Sequence, residues 1–234
     1  MEIKLTKKPK NPIIIEGFPG LGLIGTICTE FLIKHMEAKS IGSIWSKELM
    51  PIAAVHDSKI VQPLEIFYSE KFNVIILHAL SDVKGMEWEI SDALADLYKQ
   101  VGAKEIISIE GIMSKGDEPE AYFIVSNPKS KKKMEDAKIT PLKEGIIIGV
   151  TAAVMLKDKD INSTGIFVGT HSRLPDSKSA ARVIEVMDKY LDLDIDFKPL
   201  IKAAAEFEAK LKGLVEQTKD TVKHQKDRSL DYLG

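Results

Sequence analysis

Polar side chains able to donate or accept a proton follow several apolar runs in this sequence of 234 residues. In an open α/β sheet, side chains at the carboxyl ends of the strands line the ligand crevice. Two carboxylates and two imidazoles in one crevice would suit general acid–base chemistry or metal binding. The candidates are Glu16, His78, Glu110 and His171, with Ser114, Thr151 and Thr170 near them.

The spacing of these candidates does not match a known catalytic or metal motif. They are far apart in the sequence, and no compact H-x-x-x-H or H-E-x-x-H pair is present. The nucleophile elbow G-x-S-x-G and the P-loop ending GK[ST] are absent as well. The sequence therefore predicts no catalytic residues, no metal and no cofactor.

A glycine-rich turn offers a different chemistry. Gly20, Gly22 and Gly25 have the spacing G-x-G-x-x-G between the apolar run 13–15 and a helix-like stretch at 23–36. Such a turn presents backbone N–H groups at the positive end of a helix, where an anion binds. The acidic residue that would hold a ribose is missing, because Ser46 and Lys47 follow the second predicted strand.

Two interpretations of this turn follow. In the favoured one, the glycines let a helix pack closely on a strand. In the alternative, Gly20, Gly22 and Gly25 bind the phosphate of a nucleotide or other small molecule, and the protein is an enzyme of ATP-grasp or phosphorylase type.

The elements that would position these groups alternate along the chain. Short β-branched runs predict strands, and stretches of helical period predict helices between them. The pattern indicates a three-layer α/β/α sandwich with a mostly parallel but mixed sheet, in which 51–68 forms short antiparallel strands around Pro63. Predicted strands are 12–16, 41–46, 52–56, 60–68, 73–78, 105–110, 120–125, 145–150 and 165–169, and predicted helices are 23–37, 87–101, 130–136, 151–157, 177–191 and 199–226.

Charge and apolar runs argue against several classes of partner. The chain has 33 basic and 35 acidic residues, so no overall charge attracts nucleic acid or a membrane surface. The basic cluster at 129–133 lacks interleaved aromatic residues and predicts a solvated helix face. No apolar run is long enough to span a bilayer, and residues 1–4 lack the apolar core of a signal peptide, so we expect a cytoplasmic protein.

The C-terminal part has a composition of its own. Residues 1–195 read as one α/β domain, 196–226 as an amphipathic helix and 227–234 as a flexible tail. The helix has heptad-like spacing, which suits either a coiled coil or packing against its own domain. Exposed apolar groups at the end of a polar tail predict a partner-binding peptide made of Leu230, Tyr232, Leu233 and Gly234.

Four segments resemble the proteasome-assembly chaperone family, in particular the archaeal-type relatives of its second chaperone subunit. They are Gly17-Phe18-Pro19-Gly20-Leu21-Gly22-Leu23-Ile24-Gly25, Glu110-Gly111-Ile112, the segment 145–151 and Leu174-Pro175-Asp176. The resemblance covers about residues 10–195. It implies a three-layer fold similar to nucleoside phosphorylases and a binding function without catalysis.

The resemblance also implies partners. It points to the proteasome α-ring or another adaptor protein, and to a homo-oligomer in which the last helix takes part. Activator tails in this family end in a hydrophobic residue, tyrosine and any residue. Here Tyr232 is third from the end and follows Asp231, so the tail departs from the activator pattern.

Overall fold

The computed structural model describes residues 1–56, 58–114, 116, 118–157, 161–171, 174–195 and 202. The predicted tail residues Leu230, Tyr232, Leu233 and Gly234 lie outside the described residues. Of the helix predicted at 199–226, only Lys202 belongs to them. The fold below is that of the α/β part.

Eleven strands and five helices form the described part of the chain. The strands are β1 (Glu2–Leu5), β2 (Ile13–Gly17), β3 (Lys39–Trp45), β4 (Ala54–His56), β5 (Lys59–Val61), β6 (Leu64–Ser69), β7 (Val74–Ala79), β8 (Glu105–Met113), β9 (Ala121–Val125), β10 (Thr140–Pro141) and β11 (Ser163–Thr170). The helices are α1 (Ile24–His35), α2 (Glu87–Val101), α3 (Pro128–Asp136), α4 (Gly149–Lys157) and α5 (Ser177–Leu191), and a 3₁₀ turn, Leu21–Leu23, precedes α1.

Nine of these strands form one mixed sheet in the order β1-β3-β6-β7-β2-β8-β11-β9-β10. The four central strands, from β7 to β11, run parallel to one another. Antiparallel strands extend the sheet at both sides, and β4 and β5 form a separate antiparallel hairpin. The predicted α/β fold with a mixed sheet is confirmed, with a larger antiparallel share than expected.

Helices cover both faces of this sheet and divide the core into two clusters. One cluster lies under α1 and α5, and the other lies under α2 and α4. In β2, Ile15 points to the first cluster and Ile14 to the second, because successive side chains of a strand point to opposite faces. Central strands buried on both faces account for the continuous apolar runs in the sequence.

The strand predicted at 145–150 is wrong. This segment is outside the sheet, and α4 begins at Gly149 within the predicted strand. Ile146 is 90% exposed and Ile148 is 70% exposed. An apolar β-branched run predicts a strand only when a neighbouring strand is free to pair with it, and β11 already pairs with β8 on one side and β9 on the other.

The helix predicted at 177–191 matches α5 at both ends. Its cap is Asp176, whose side chain accepts a hydrogen bond from the Ser179 backbone N–H at 3.0 Å. An N-cap carboxylate satisfies a backbone donor that the helix leaves free.

Candidate functional site

The glycine-rich turn joins β2 to α1 by very close backbone contacts. A Cβ atom added to Gly17 would come within 2.4 Å of the Gly25 carbonyl oxygen, and one added to Gly25 within 2.8 Å of Gly17 Cα. A Cβ added to Gly111 on β8 would lie 2.3 Å from the Leu21 carbonyl oxygen. These glycines are needed because side chains would push the helix away from the sheet.

Gly22 serves the turn by its conformation. Its φ of 65° lies in the left-handed region, and the following Leu23, at φ 49°, does too. The Gly22 carbonyl accepts a hydrogen bond of 2.9 Å from the backbone N–H of Asp176, so the turn is tied to the start of α5. Gly20 has open space at its Cβ position. Close packing thus explains Gly25, and backbone conformation explains Gly22.

The sheet separates the candidate acid–base residues. The side chains of Glu16 and Glu110 point to the face covered by α2 and α4, since they alternate with core residues of the other face. His78 points to the opposite face, where its Nδ1 lies 2.8 Å from Thr29 Oγ1 on α1. The four candidate side chains, two carboxylates and two imidazoles, are therefore not brought together in one crevice.

The imidazoles have separate surroundings. Burial lowers the pKa of His78, while the carboxylates of Glu30 and Glu65 act in the opposite direction. His171 is exposed, and its Nδ1 lies 3.0 Å from the Ser114 carbonyl oxygen. Neither ring is close to the two carboxyl groups in a way that would make a proton relay.

Thr170 is part of a hydrogen-bond network at the start of α5. Its hydroxyl donates to Asp176 Oδ2 at 2.8 Å, and Ser179 Oγ donates to the same oxygen at 2.7 Å. Burial works against ionisation of Asp176, but the hydrogen bonds from Ser179 and Thr170 outweigh it and lower the pKa of this carboxyl. This network anchors α5 to the end of β11.

Glu16 and Glu110 are two neighbouring carboxyl groups whose pKa values are raised by burial to near neutral pH. Glu16 is 1% exposed, and neither of its oxygens has a hydrogen bond of ordinary geometry to any described residue. Burial raises its pKa to about 8; the Ser108 hydroxyl opposes this shift and the Glu110 charge adds to it. Burial likewise raises the pKa of Glu110 to about 7, against the effect of the Thr151 hydroxyl.

A small cleft opens above this pair. Its volume is about 80 Å³, and Glu110 and Thr151 line it. The other lining residues come from the glycine-rich turn, the loop before α2 and its first residue, β8, and the start of α4 with the residue before it. They are Phe18, Pro19, Gly20, Asp82, Val83, Glu87, Ile109, Ile148, Gly149 and Val150. Clefts that hold drug-sized ligands have volumes of roughly 300–1,000 Å³, so this one suits a much smaller group.

Comparison with protein families matches residues 14–215 to the model of the PAC2 family. This chain belongs to the PAC2 family. The match covers the α/β part from β2 to α5, and it confirms the resemblance to proteasome-assembly chaperones inferred from the sequence motifs.

Solved structures support the assignment to PAC2. PbaA of Pyrococcus furiosus, an archaeal homolog of proteasome-assembly chaperone, is 28% identical, with a TM-score of 0.83 over 94% of this chain and 99% of that one. PbaB of the same organism, an archaeal proteasome activator, shares the fold at 23% identity and a TM-score of 0.75, over 91% of this chain and 98% of that one.

Sequence comparison finds a relative that aligns with a similar share of this chain. MJ0106 of Methanocaldococcus jannaschii is 26% identical over 226 residues, which are 92% of each chain. This PAC2 chain thus matches its relatives over nearly their full length.

Sequence reasoning missed part of the site in this PAC2 protein. Ser108, Asp82 and Glu87 were not among the candidates, although Ser108 lies beside Glu16 and the two acids line the cleft. Ser108 could have been found from the strand alternation, since it falls two residues before Glu110. Asp82 and Glu87 reach the cleft through the loop after β7, which carries no local signal for that position.

Two other features of the PAC2 chain concern charge and membranes. The basic cluster at 129–133 lies on α3, where Lys133 pairs with Asp192 at 3.1 Å and Lys131 lies 3.8 Å from Glu135. Among the described residues, no group of three or more His, Cys, Asp or Glu side chains could hold a metal ion. No helix in the described ranges is long and apolar enough to cross a bilayer.

Proposed function

We propose that this protein is a non-enzymatic assembly chaperone or scaffold that acts on the proteasome. The observation that carries the proposal is membership of the PAC2 family together with 28% identity over almost the full length to PbaA, an archaeal homolog of proteasome-assembly chaperone. The partner is the proteasome α-ring or an adaptor protein that associates with it. The C-terminal tail, with Leu230, Tyr232, Leu233 and Gly234, captures this partner.

The geometry of the glycine-rich turn supports a function without nucleotide. Gly25 packs against Gly17, and the Gly22 carbonyl is bonded to Asp176, so the turn is engaged within the protein. The cleft beside the turn has a volume of about 80 Å³ and an acidic lining. Phosphate groups would meet the carboxyl groups of Asp82, Glu87 and Glu110 there, which repel an anion.

Capture experiments test the role of the tail. Full-length protein and a variant that ends at Ser229 are each immobilised and exposed to purified proteasome α-rings. We expect the full-length chain to retain the rings and the truncated chain to lose them, because the truncation removes the apolar and aromatic residues of the proposed binding peptide. A matched control, Leu230→Gly with the full length kept, should weaken capture partially.

Equal retention by both forms would contradict the role of the tail. Circular dichroism of the truncated form checks that its fold is unchanged. Failure of both forms to retain the rings would point to an adaptor as the partner, which a capture of proteasome in the presence of candidate adaptors then tests.

A homo-oligomer is part of the same proposal. Repeated subunits present several tails to a ring of repeated subunits, and simultaneous binding raises the overall affinity by multivalency. Light scattering on the purified protein should give a mass that is a multiple of 26.0 kDa. A truncation after residue 195 should reduce the number of subunits in the oligomer if the amphipathic segment at 196–226 joins the subunits.

The absence of nucleotide binding is tested directly. Thermal unfolding is measured with ATP, ADP, NAD and inorganic phosphate, each in excess. We expect no rise in the melting temperature, whereas a ligand at one hundred times its Kd would add about 2.7 kcal/mol of stability. A rise that Gly22→Val abolishes would revive the nucleotide-binding alternative.

A further inference from the structure

The cleft beside the glycine-rich turn has unsatisfied polar groups at its base. Glu16 and Ser108 are each 1% exposed, and their side-chain oxygens have no hydrogen bond of ordinary geometry to any described residue. Glu110 Oε2 is in the same condition. Burying such groups without partners is costly, so a cluster of them at one place needs a physical reason.

These groups converge on one place. Glu16 pairs in register with Ser108 on the neighbouring strand, and Glu110 follows two residues later on the same face. Glu110 lines the cleft, and Glu16 lies behind it, one step toward the amino ends of the strands. The register thus places the two carboxyl groups on adjacent strands and on the same face, and the Glu110 charge acts in the direction that raises the pKa of Glu16.

The lining of the cleft selects a cation. Its charged members are Asp82, Glu87 and Glu110, which come from the loop after β7, the start of α2 and β8. No lysine or arginine is among the described residues that line it. A cation entering the cleft would meet only acidic groups among the charged residues that line it, and the buried Glu16 and half-buried Glu110 would gain a charged partner.

An organic cation fits this cleft better than a metal ion. No group of three His, Cys, Asp or Glu side chains in the described ranges has the geometry of a metal site. The walls are largely apolar, with Phe18, Val83 and Ile148 among them. An apolar stem that ends in a cationic head matches such walls, and the volume of about 80 Å³ admits the head alone.

We propose that this cleft receives the lysine or arginine side chain of a partner protein, whose cationic head pairs with Glu110 and, behind it, Glu16. The rim of the cleft indicates a protein as the source. Ile148, which lines the cleft, is 70% exposed, and Ile146, two residues before it, is 90% exposed. Both offer apolar contact to residues flanking the basic side chain. The inference uses no residue of the C-terminal tail, so it does not depend on the proposed function.

Proton balance gives the site a pH dependence. Binding of the cation ionises the carboxyl groups, and their protons pass to the buffer. Since the pKa of Glu110 is about 7, its ionised fraction rises about tenfold from pH 6 to pH 8. Affinity for a cation should rise with it, by about tenfold.

The test uses the full-length protein and peptides of defined sequence. Isothermal titration calorimetry at pH 8 compares acetyl-Leu-Arg-Leu-amide with the same peptide in which citrulline, the neutral isostere, replaces arginine. N-butylguanidinium provides the cationic head without flanking residues, and magnesium chloride tests a metal. We expect the arginine peptide to bind most tightly, the citrulline peptide at least about tenfold more weakly, and magnesium not at all.

Variants separate the parts of the site. Glu110→Gln and Glu16→Gln should each reduce affinity for the arginine peptide, and Glu89→Gln, an exposed residue of α2 outside the cleft, should leave it unchanged. Ile146→Ser should weaken binding of the arginine peptide and leave binding of N-butylguanidinium unchanged. The comparison of wild-type affinity at pH 6 and pH 8 needs no variant, so it tests the proposal even if a substitution disturbs folding.

Several results would overturn the proposal. Equal binding of arginine and citrulline peptides would exclude recognition of charge, and binding of magnesium alone would make the site a metal site. If N-butylguanidinium binds as tightly as the peptide, the site takes a free small molecule and no partner side chain. Affinity that is flat from pH 6 to pH 8 would exclude Glu110 and Glu16 as the pairing groups.

Discussion

Two sets of buried polar groups on opposite faces of the central sheet differ in how they are paired. On the face covered by α1 and α5, His78 pairs with Thr29, and Thr170 donates to Asp176. On the face covered by α2 and α4, Glu16 and Ser108 are equally buried and have no hydrogen bond of ordinary geometry to a described residue. Buried polar groups cost free energy unless they are paired.

Glu105 is a fully paired carboxylate on the first face. Its carboxylate accepts hydrogen bonds from Ser130 on α3, Thr164 on β11 and Tyr190 on α5. One carboxylate thus joins three elements. Burial of an acid is therefore by itself no sign of function. A buried acid that lacks hydrogen bonds of ordinary geometry is different, because an incoming cation would stabilise its charged form.

Removing Glu105 should have the largest effect on stability. Glu105→Ala leaves three hydroxyl groups without their acceptor, and a buried unsatisfied group costs about 1–3 kcal/mol. We expect the free energy of unfolding, measured with urea at pH 7, to fall by about 4 kcal/mol. The matched control Glu135→Ala removes an exposed carboxylate that lies 3.8 Å from Lys131, and it should cost less than about 0.5 kcal/mol.

A loss for Glu105→Ala no greater than for the control would contradict the contrast between the faces. Tyr190→Phe sharpens the result, because it removes one of the three donors and keeps the packing. Its cost should be a fraction of that of Glu105→Ala.

Glu16 should show the reverse behaviour. Its pKa is about 8 in the folded protein and 4.5 ordinarily, so between these values the folded state binds a proton that the unfolded state releases. Stability therefore falls as pH rises through this window. Glu16→Gln removes the titrating group, so we expect the stability of this variant to depend less on pH. Its free energy of unfolding relative to wild type should be up to about 3 kcal/mol more favourable at pH 8 than at pH 5.

Urea unfolding at pH 5 and pH 8 measures this difference, with Glu89→Gln as the control for loss of one exposed carboxylate. The same pH dependence in wild type and in Glu16→Gln would contradict the prediction, because it would show that the pKa of Glu16 is not raised in the folded protein.

The glycine-rich turn allows a comparison along the chain. Gly25→Ala places a Cβ 2.8 Å from Gly17 Cα, and such overpacking costs about 1–3 kcal/mol. Gly20→Ala has its nearest atom at 3.9 Å and should be close to neutral. Melting temperatures of the two variants check this ranking; equal losses would mean that the turn adjusts to either side chain.

The sequence predicts the helices and strands of this protein better than it predicts their arrangement in the fold. The helices α2 and α5 were predicted at both ends, because their apolar positions recur at helical period and polar residues or glycine stop them. The segment 145–150 has the same β-branched composition as the strands, and only the sheet shows that it has no place there. Strand pairing depends on contacts distant in sequence, so local composition does not contain it.

The candidate site followed the same rule. Glu16 and Glu110 were predicted from their positions at strand ends, and they are neighbours in the structure. His78 was predicted by the same argument and lies on the other face, with Thr29. Alternation of side chains along each strand assigns a face only when the register between strands is known, and the sequence does not reveal that register.

The smallest effect tests the cap that ties α5 to the glycine-rich turn. Asp176→Ala removes the acceptor for the Ser179 backbone N–H and for the Thr170 hydroxyl, whereas Ser179 Oγ keeps the Gly169 carbonyl oxygen at 2.8 Å. Loss of the N-cap and of one hydroxyl acceptor should together cost about 2 kcal/mol. The pKa of Asp176 is lowered in the folded state, so its contribution is complete above the ordinary value of 3.8 and is lost as pH falls through the lowered value. Asp176→Asn keeps an acceptor without the titration. We therefore expect urea unfolding at pH 7 to rank wild type above Asn and Asn above Ala, and the gap between wild type and Asn to close in acid; a gap that persists there would assign the effect to packing and not to charge.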